Sequence, residues 1–264
     1  MSGLFKGSVV LITGATGGFG RAAARRYASE GARLVLSDYS AELLEAAAAD
    51  IARETGGEIA TLAGDVSDEN LSRHLVELAI ERFGRLDVAL NNAGIAQQAF
   101  EKLPRVATDE ARRIFDIDLL GVFFAMKYQL PAMEKQARES GVGGAIVNTA
   151  SVAGVIGASG LSVYAAAKHG VVGLTRSAAQ EYARFGIRIN AVCPSFARTP
   201  MATDLLDVEV GGKVVTEAEL VRGIPMGRLA EVDEVIEVMV FASSPKNSFM
   251  TGQTLHVDGG LTAY

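Results

Sequence analysis

The chain has 264 residues, of which 49% are hydrophobic and 21% are charged, and its formal net charge is −6. This composition excludes collagen-like and low-complexity chains, and the acidic balance argues against nucleic acid as a partner. Cys193 is the only cysteine, so no disulfide can form within the chain, and we expect a reducing compartment, the cytoplasm. The amino terminus lacks the charged and then apolar layout of a signal peptide.

The alternation of strand-like and helix-like segments predicts the fold class. Strands are predicted at 9–13, 33–37, 58–63, 88–91, 144–149, 188–192 and 254–257, and helices at 18–30, 41–54, 67–83, 108–138, 162–184 and 232–243. The run 9–12 is apolar on both faces, as a parallel strand covered on both sides requires. We therefore predict an α/β fold, with a doubly wound parallel sheet of about seven strands, helices on both faces and a single domain over 1–264.

Two helix starts and one uncharged stretch refine this prediction. Ser67 is predicted as an N-cap, and Thr216 with Glu219 forms a capping-box pattern. Residues 140–167 carry no charge and are long enough to span a bilayer, but they hold six glycines. We predict a buried strand, a glycine-rich loop and a helix start there, and no membrane partner.

A glycine-rich turn follows the first strand and opens the first helix. Glycines let the backbone approach a phosphate closely, and a helix N-terminus offers free N–H groups and partial positive charge. The turn is predicted to bind a pyrophosphate through Gly14, Thr16, Gly18, Phe19 and Gly20. A purely structural turn is the alternative.

Asp38 follows the second strand and selects the dinucleotide. A carboxylate at this place accepts hydrogen bonds from the adenosine ribose hydroxyls and repels a 2′-phosphate. Ser37, Tyr39 and Thr16 add no positive charge nearby, so the predicted cofactor is NAD. The alternative for Asp38 is a helix cap or a turn residue.

Tyr164 and Lys168 place a phenol and an ammonium four residues apart on one predicted helix. A nearby cation favours the phenolate and lowers the pKa of the tyrosine, which suits proton exchange with an alcohol or carbonyl oxygen. Ser151, just after the fifth strand, has a hydroxyl that can hold the same oxygen. Alone, Tyr-x-x-x-Lys is more often a surface pair, and a serine after a strand is ordinarily a loop residue.

Taken together, these motifs resemble the short-chain dehydrogenase/reductase family over most of the chain, from about Gly7 to Gly260. They comprise Thr-Gly-x-x-x-Gly-x-Gly at 13–20, Asn-Asn-Ala-Gly at 91–94, Ser151, Tyr164-x-x-x-Lys168 and the segment 251–260. The resemblance implies a Rossmann-type homotetramer that moves hydride between nicotinamide and an alcohol or ketone. It makes Tyr164 the general acid/base, Ser151 the residue that orients the substrate oxygen, and Lys168 a ligand of the nicotinamide ribose.

The resemblance also implies contacts for residues that follow the other strands. Asp65 and Val66 would contact adenine, while Asn92, Ala93 and Gly94 would line the ribose on the nicotinamide side. The nicotinamide carboxamide would be held by Pro194, Ala197 and Thr199. Taken alone, the acidic and asparagine pairs would pass as Asx turns.

Two positions depart from the family pattern. Asp118 occupies the place of an asparagine that is thought to hold a proton-relaying water, and it adds negative charge near Lys168. We expect Asp118 to steady the ammonium, to offset part of its effect on Tyr164 and to leave the enzyme active with a shifted pH optimum. Ser195 stands where the family commonly has glycine, so the local turn is expected to differ slightly.

The predicted substrate is a secondary alcohol or a lipophilic or cyclic ketone. Residues 104–108, 152–161 and a flap at about 200–226 are the expected walls, and Val155, Ile156 and Leu161 suggest an apolar pocket. The flap carries Leu205, Leu206, Val208, Val210, Val214 and Val215. A 3-oxoacyl carrier-protein reductase and a non-catalytic NAD(H)-sensing scaffold remain the alternatives.

The remaining candidate side chains are predicted to be structural. His74, His169 and His256 do not have metal-ligand spacing, so no metal is expected. Cys193 is predicted to be a small buried hydrophobe. Phe123, Phe124, Tyr128 and Leu130 fit either a subunit interface or the core.

Overall fold

A computed structural model describes residues 3–203, 206, 209–210, 213–214 and 216–263 of the chain. Its strands are β1 Val9–Thr13, β2 Arg33–Ser37, β3 Ile59–Thr61, β4 Val88–Asn91, β5 Ala145–Thr149, β6 Arg188–Pro194, β7 Glu209–Val210, β8 Lys213–Val214 and β9 Thr254–Val257. Its helices are α1 Gly18–Ser29, α2 Ala41–Thr55, α3 Glu69–Phe83, α4 Thr108–Phe115, α5 Gly121–Ser140, α6 Ser162–Tyr182, α7 Pro200–Thr203, α8 Glu217–Leu220 and α9 Val232–Ser243.

One parallel sheet organises the domain. Its strand order is β3-β2-β1-β4-β5-β6-β9, while β7 and β8 form a separate antiparallel ribbon. The order reverses between β1 and β4, so their carboxyl ends flank the crevice where ligands of open α/β sheets bind. The predicted doubly wound sheet of about seven strands is confirmed.

Alternating side chains of β1 explain why helices cover both faces. Val10 and Ile12 are buried with residues of α1, α2 and α9. Val9 and Leu11 are buried on the opposite face with residues of α3, α5 and α6. Each apolar strand therefore feeds two cores, because each face of the sheet is covered by helices.

Several predicted boundaries were wrong. The N-cap of α3 is Asp68, whose side chain accepts from the Asn70 N–H, while the Ser67 hydroxyl donates to Asp65 at 2.7 Å. β3 is shorter than predicted because it pairs with β2 alone at the sheet edge. β6 continues to Pro194, since it pairs with β9 as far as Val257.

The long helix predicted at 108–138 is interrupted. A π-helical turn over Asp116–Leu120 separates α4 from α5, and Asp118 lies in this turn. Single π turns are frequent at functional sites. The turn is invisible to a 3.6-residue period, which is why the pattern predicted one uninterrupted helix.

The uncharged stretch 140–167 folds as β5, a short 3₁₀ turn over Val152–Gly154 and the start of α6. In the part of the chain that the structure describes, no helix combines the length and apolar composition needed to cross a membrane. The capping box of Thr216 and Glu219 is present at the start of α8.

Candidate active site

The glycine-rich turn joins β1 to α1 with its helix start uncapped. Gly17 is the N-cap of α1 and contributes no side-chain hydrogen bond, so the first N–H groups of this 12-residue helix remain available to an anion. A Cβ on Gly20 would overlap with the Gly14 carbonyl, and one on Gly18 would lie 2.7 Å from Thr199 Cγ2. The turn is therefore a cradle of bare backbone, which fits a pyrophosphate.

Asp38 is held at the edge of this cradle. Its Oδ2 accepts hydrogen bonds from the Thr16 N–H at 2.9 Å and the Thr16 hydroxyl at 2.8 Å, and its Oδ1 accepts from the Tyr39 N–H at 2.7 Å. Ser40, not Asp38, caps helix α2. The carboxylate thus lies next to the phosphate cradle with lone pairs still free for hydroxyl donors.

Hydrogen bonds fix the segments that follow β3 and β4 beside the glycine-rich turn. Asp65 Oδ1 accepts from the Ser67 N–H at 2.9 Å, which is the Asx turn of the alternative interpretation. The Asn92 amide donates to the carbonyls of Thr13 at 3.0 Å and Gly14 at 3.2 Å. Asn92 therefore clamps the end of β4 to the turn after β1, and both segments line the same cavity.

The catalytic candidates meet where β5 ends against α6. Lys168 Nζ donates to the Thr149 carbonyl at 3.1 Å and lies 5.5 Å from the centre of the Tyr164 ring. Ser151 Oγ accepts from the Ala153 N–H at 3.1 Å, which fixes the hydroxyl after β5. All three predicted side chains line one cavity.

Asp118 lies beside Lys168 and is completely buried, with 0% of its side chain exposed. Its Oδ1 accepts from the Ile95 N–H at 2.8 Å, and its Oδ2 lies 3.3 Å from Lys168 Nζ. Burial raises the pKa of Asp118 from its ordinary value and outweighs the lowering by the Lys168 ammonium. The structure therefore brings the negative charge to the ammonium, at the place where the sequence analysis expected it.

The pKa of Tyr164 is raised from its ordinary value because burial outweighs the opposing effect of the Lys168 ammonium. Asp118 raises it further, while the Ser151 hydroxyl lowers it. Burial alone would lower the pKa of Lys168, but the charges of Asp118 and Tyr164 outweigh it and the pKa is raised. The expected lowering of the tyrosine pKa by Lys168 is thus present, but it does not dominate in the protein alone.

The segment after β6 passes over the glycine turn. The Ser195 N–H donates to the Val257 carbonyl at 3.0 Å, so the serine continues the pairing of β6 with β9 despite the family's glycine preference. Ala197 forms an isolated bridge with Ala230, and Thr199 contacts Gly18. Pro194, Ala197 and Thr199 all line the cavity.

Cys193 is the residue before Pro194, and its side chain is buried in the core. Burial raises the pKa of its thiol to about 11, which leaves it protonated at neutral pH. In the described ranges, no cluster of three His, Cys, Asp or Glu side chains has the arrangement of a metal site.

The glycine-rich turn, Asp38 and the catalytic candidates line one cavity of about 630 Å³, a size typical of small-molecule sites, whereas Gly20 and Cys193 do not line it. Ile156 and Leu161 line it as predicted, whereas Val155 packs against the core. None of residues 104–108 lines it, because the preceding loop supplies that wall through Gln97 and Phe100. Of the flap, Pro200, Met201 and Ala202 line the cavity, while Leu206 is half-buried. The predicted Leu205, Val208 and Val215 lie outside the described residues, and Val210 and Val214 are described in backbone only.

Several lining residues had no sequence motif, among them Gln97, Arg113 and Leu261. The Gln97 amide donates to the carbonyls of Ala99 at 3.1 Å and Gly160 at 3.0 Å, which joins two loops of the cavity wall. Arg113 lies one turn before Ile117 on the path from α4 into the π turn. Only the tertiary fold brings these residues to the site, so no local pattern signals them.

A family model described as Enoyl-(Acyl carrier protein) reductase matches residues 14–262. Cyclohexanol dehydrogenase of Acinetobacter sp. (strain SE19) is 40% identical over 263 residues, covering 100% of this chain and 98% of the relative. Levodione reductase of Leifsonia aquatica is 42% identical over 265 residues, with 98% and 96% covered. The 3-oxoacyl-[acyl-carrier-protein] reductase FabG of Thermotoga maritima is 37% identical over 256 residues, with 97% and 98% covered.

Solved structures match over nearly the whole chain. The structure of levodione reductase superposes with a TM-score of 0.91 at 40% identity, covering 98% of this chain and 100% of the other. NAD⁺-bound xylitol dehydrogenase gives 0.89 at 33% identity, and ElxO with NADP bound gives 0.88 at 31%, each covering 97% of this chain and 99% of the other. Similar chains therefore carry either nicotinamide dinucleotide.

Proposed function

This chain belongs to the short-chain dehydrogenase/reductase family, and from that premise we propose that it is an oxidoreductase that transfers hydride between NAD(H) and a secondary alcohol or ketone. The observation that carries the proposal is the convergence of Ser151, Tyr164 and Lys168 on one cavity with the uncapped start of α1. A phenol, a hydroxyl and a buried ammonium together suit proton exchange with an alcohol oxygen.

Each residue has a distinct part in this reaction. A bound nicotinamide supplies the hydride acceptor for oxidation and the hydride donor for reduction. Tyr164 Oη takes the proton of the alcohol hydroxyl as the carbon is oxidised, and returns it to the ketone oxygen in the opposite direction. Ser151 donates a hydrogen bond to that oxygen, and Lys168 lowers the pKa of the phenol beside it.

The test is turnover of cyclohexanol with NAD⁺ and of cyclohexanone with NADH, followed by absorbance of the reduced cofactor. Removing the phenolic oxygen in Tyr164→Phe should reduce kcat/KM by about 10³-fold with NADH binding retained. Tyr182→Phe, on the same helix, is the matched control. If no alcohol or ketone is turned over and the two variants cannot be told apart, the non-catalytic NAD(H)-sensing scaffold is the better account.

We propose that NAD is preferred over NADP because Asp38 lies beside the cradle. The carboxylate accepts from ribose hydroxyls, and it would face the charge of a 2′-phosphate at close range. The ratio of kcat/KM for NAD⁺ to that for NADP⁺ should be about 100-fold or more. Asp38→Asn, which removes the charge at nearly constant volume, should reduce this ratio, and an unchanged ratio would contradict the assignment.

A 3-oxoacyl carrier-protein reductase is the second candidate, favoured by the 37% identity to the Thermotoga maritima reductase. The net charge of −6 disfavours it, because an acidic carrier protein would be repelled. Acetoacetyl thioesters with NADH and NADPH decide between the two. A kcat/KM for a carrier-protein thioester above that for cyclohexanone would favour this candidate.

The apolar cavity wall supports a compact lipophilic substrate. Among the described lining residues, the charged side chains are Asp38, Asp65, Arg113, Asp118 and Lys168. Of these, Asp118 and Lys168 are paired with each other. A secondary alcohol or cyclic ketone needs no charged partner in the cavity, and the apolar lining residues Ile156 and Leu161 suit it. Residues 200–226 are proposed as the flap over this substrate.

We propose a cytoplasmic homotetramer built through α5 and α6. Phe123 on α5 is 42% exposed and packs against Phe124, whereas Leu130 is buried in the core and cannot contribute. Phe123→Asp should lower the mass found by analytical ultracentrifugation, since a buried charge opposes association. An unchanged mass would place the interface elsewhere.

A further inference from the structure

The residues after β9 leave the sheet beside the segment that follows β6. Val257 is paired with Pro194 in register, and its carbonyl accepts from the Ser195 N–H at 3.0 Å. Because Pro194 and Ser195 line the cavity, the chain that follows Val257 begins at its wall. We call residues 258–262 the C-terminal turn.

Asp258 folds this turn. Its Oδ1 accepts from the Gly260 N–H at 2.9 Å, and its Oδ2 accepts from the Thr262 N–H at 2.9 Å and hydroxyl at 2.6 Å. Burial alone would raise the pKa of Asp258, but the hydrogen bonds from Thr262 and Gly260 outweigh it and lower the pKa, so the carboxylate stays ionised. Gly260 has a φ of +92°, a conformation that side chains with a Cβ rarely adopt.

The C-terminal turn also packs against Pro225 and Met226, at the carboxyl end of the predicted flap. The Met226 N–H donates to the Gly259 carbonyl at 3.1 Å, and a Cβ on Gly260 would lie 3.2 Å from Pro225. Leu261, which follows Gly260 in this turn, is half-buried and lines the cavity. The Leu261 side chain is thus positioned at the cavity wall by a turn in which the Asp258 side chain accepts three hydrogen bonds.

We propose that Leu261 is a specificity-determining residue that limits the size of the substrate accepted in the cavity that Tyr164 also lines, so that compact cyclic alcohols and ketones are used and bulky ring substituents are excluded. The inference rests on the proposed function, because it concerns the same cavity. Asp258 is a positioning residue that acts through Leu261. Removing side-chain volume at a packed wall opens space, and one extra or missing methylene in an apolar pocket is worth about 10–200-fold in discrimination.

The test compares kcat/KM for 4-tert-butylcyclohexanone with that for cyclohexanone, each with NADH. Leu261→Ala should raise the ratio of bulky to compact substrate by about 10-fold or more, and Leu261→Phe should lower it. Leu43→Ala, an exposed leucine on α2 outside the cavity, is the matched control and should keep the wild-type ratio. If Leu261→Ala does not fold, Leu261→Val replaces it, with a smaller rise expected.

Asp258→Asn tests the positioning role, since it keeps the volume but removes the charge that holds Thr262 and Gly260. The ratio should move in the same direction as in Leu261→Ala, while an effect on stability alone would reduce both substrates equally. A folded, active enzyme whose ratio is unchanged in all the Leu261 variants would overturn the inference and leave the proposed function intact. A wild-type chain that reduces neither ketone would overturn the proposed function, and the inference with it.

Discussion

Lys168 and Arg188 are both buried cations, at 3% and 8% exposed, yet they lie at opposite ends of strand β5 in opposite chemical surroundings. Arg188 is the first residue of β6, at the end of the strand away from the cavity. Its guanidinium donates to the carbonyls of Ala242 at 2.7 Å, Ser243 at 3.0 Å and Ser244 at 3.1 Å, which caps the end of α9. Among the described residues no carboxylate pairs with it, and burial lowers its pKa.

Lys168 has fewer hydrogen bonds and more charge around it. It donates to the single carbonyl of Thr149 and lies against the Asp118 carboxylate, so its pKa is raised where that of Arg188 is lowered. It also lines the cavity, which leaves donor capacity for a ligand. Protein carbonyls thus satisfy the guanidinium of Arg188, whereas the ammonium of Lys168 keeps a counter-charge and unused donors. The second arrangement suits the chemical role that we propose for Lys168.

The largest effect is expected for Lys168→Met. Removing the ammonium leaves Asp118 buried without its counter-charge and raises the pKa of Tyr164, so kcat/KM should fall by about 10³-fold and stability by about 3–5 kcal/mol. Steady-state kinetics and urea unfolding measure the two effects. Adding Asp118→Asn should restore stability but not activity. Restored activity in the double variant would contradict a chemical role for the ammonium, and Lys127→Met provides an exposed-lysine control.

The next effect, on stability alone, is expected for Arg188→Met. The carbonyls at the end of α9 would lose their buried donor, so the free energy of unfolding should fall by about 2–3 kcal/mol. Activity per folded molecule should stay near that of the wild type. Arg184→Met, which alters an exposed arginine nearby, is the control. Loss of activity in folded Arg188→Met protein would break the distinction between the two cations.

The smallest effect is a displacement of the pH profile in Asp118→Asn. The Asp118 charge raises the pKa of Tyr164, so removing it lowers that pKa. The acidic limb of kcat/KM for alcohol oxidation should then move to lower pH, because oxidation requires the deprotonated phenol. Asp116→Asn, an exposed aspartate in the same π turn, should leave the limb in place. A limb that stays fixed or moves to higher pH would remove Asp118 from the proton chemistry.

Local sequence patterns were sufficient to predict the parallel sheet, the glycine-rich turn and the helix that carries Tyr164 and Lys168. The apolar run of β1, the glycines from Gly14 to Gly20 and the spacing of Tyr164 and Lys168 depend on neighbours within one turn or one strand. Such features can be predicted from sequence because the hydrophobic repeat of a helix or a strand spans only a few residues. The same reasoning placed Asp38 at the end of β2, where the sheet brings it to the cradle.

Features that depend on distant contacts were not predictable. Arg188 gave no signal because its partners lie more than 50 residues away, at the end of α9. The wall formed by Gln97 and Leu261 requires loops that meet only in the folded chain, and the wrong assignment of 104–108 and Val155 has the same cause. The π turn at Asp118 was not predicted, because one extra residue in a single turn changes the hydrophobic pattern too little to be recognised.

The buried thiol of Cys193 gives these experiments an internal reporter. The chain has a single cysteine, and its thiol, shielded within β6 and with a pKa of about 11, should not react with a maleimide or disulfide reagent while the sheet is intact. Labelling would then count molecules in which β6 has opened, so its rate in Arg188→Met and Lys168→Met reads out local unfolding without any engineered probe. The folded enzyme should accordingly need no reducing agent to keep its activity in air.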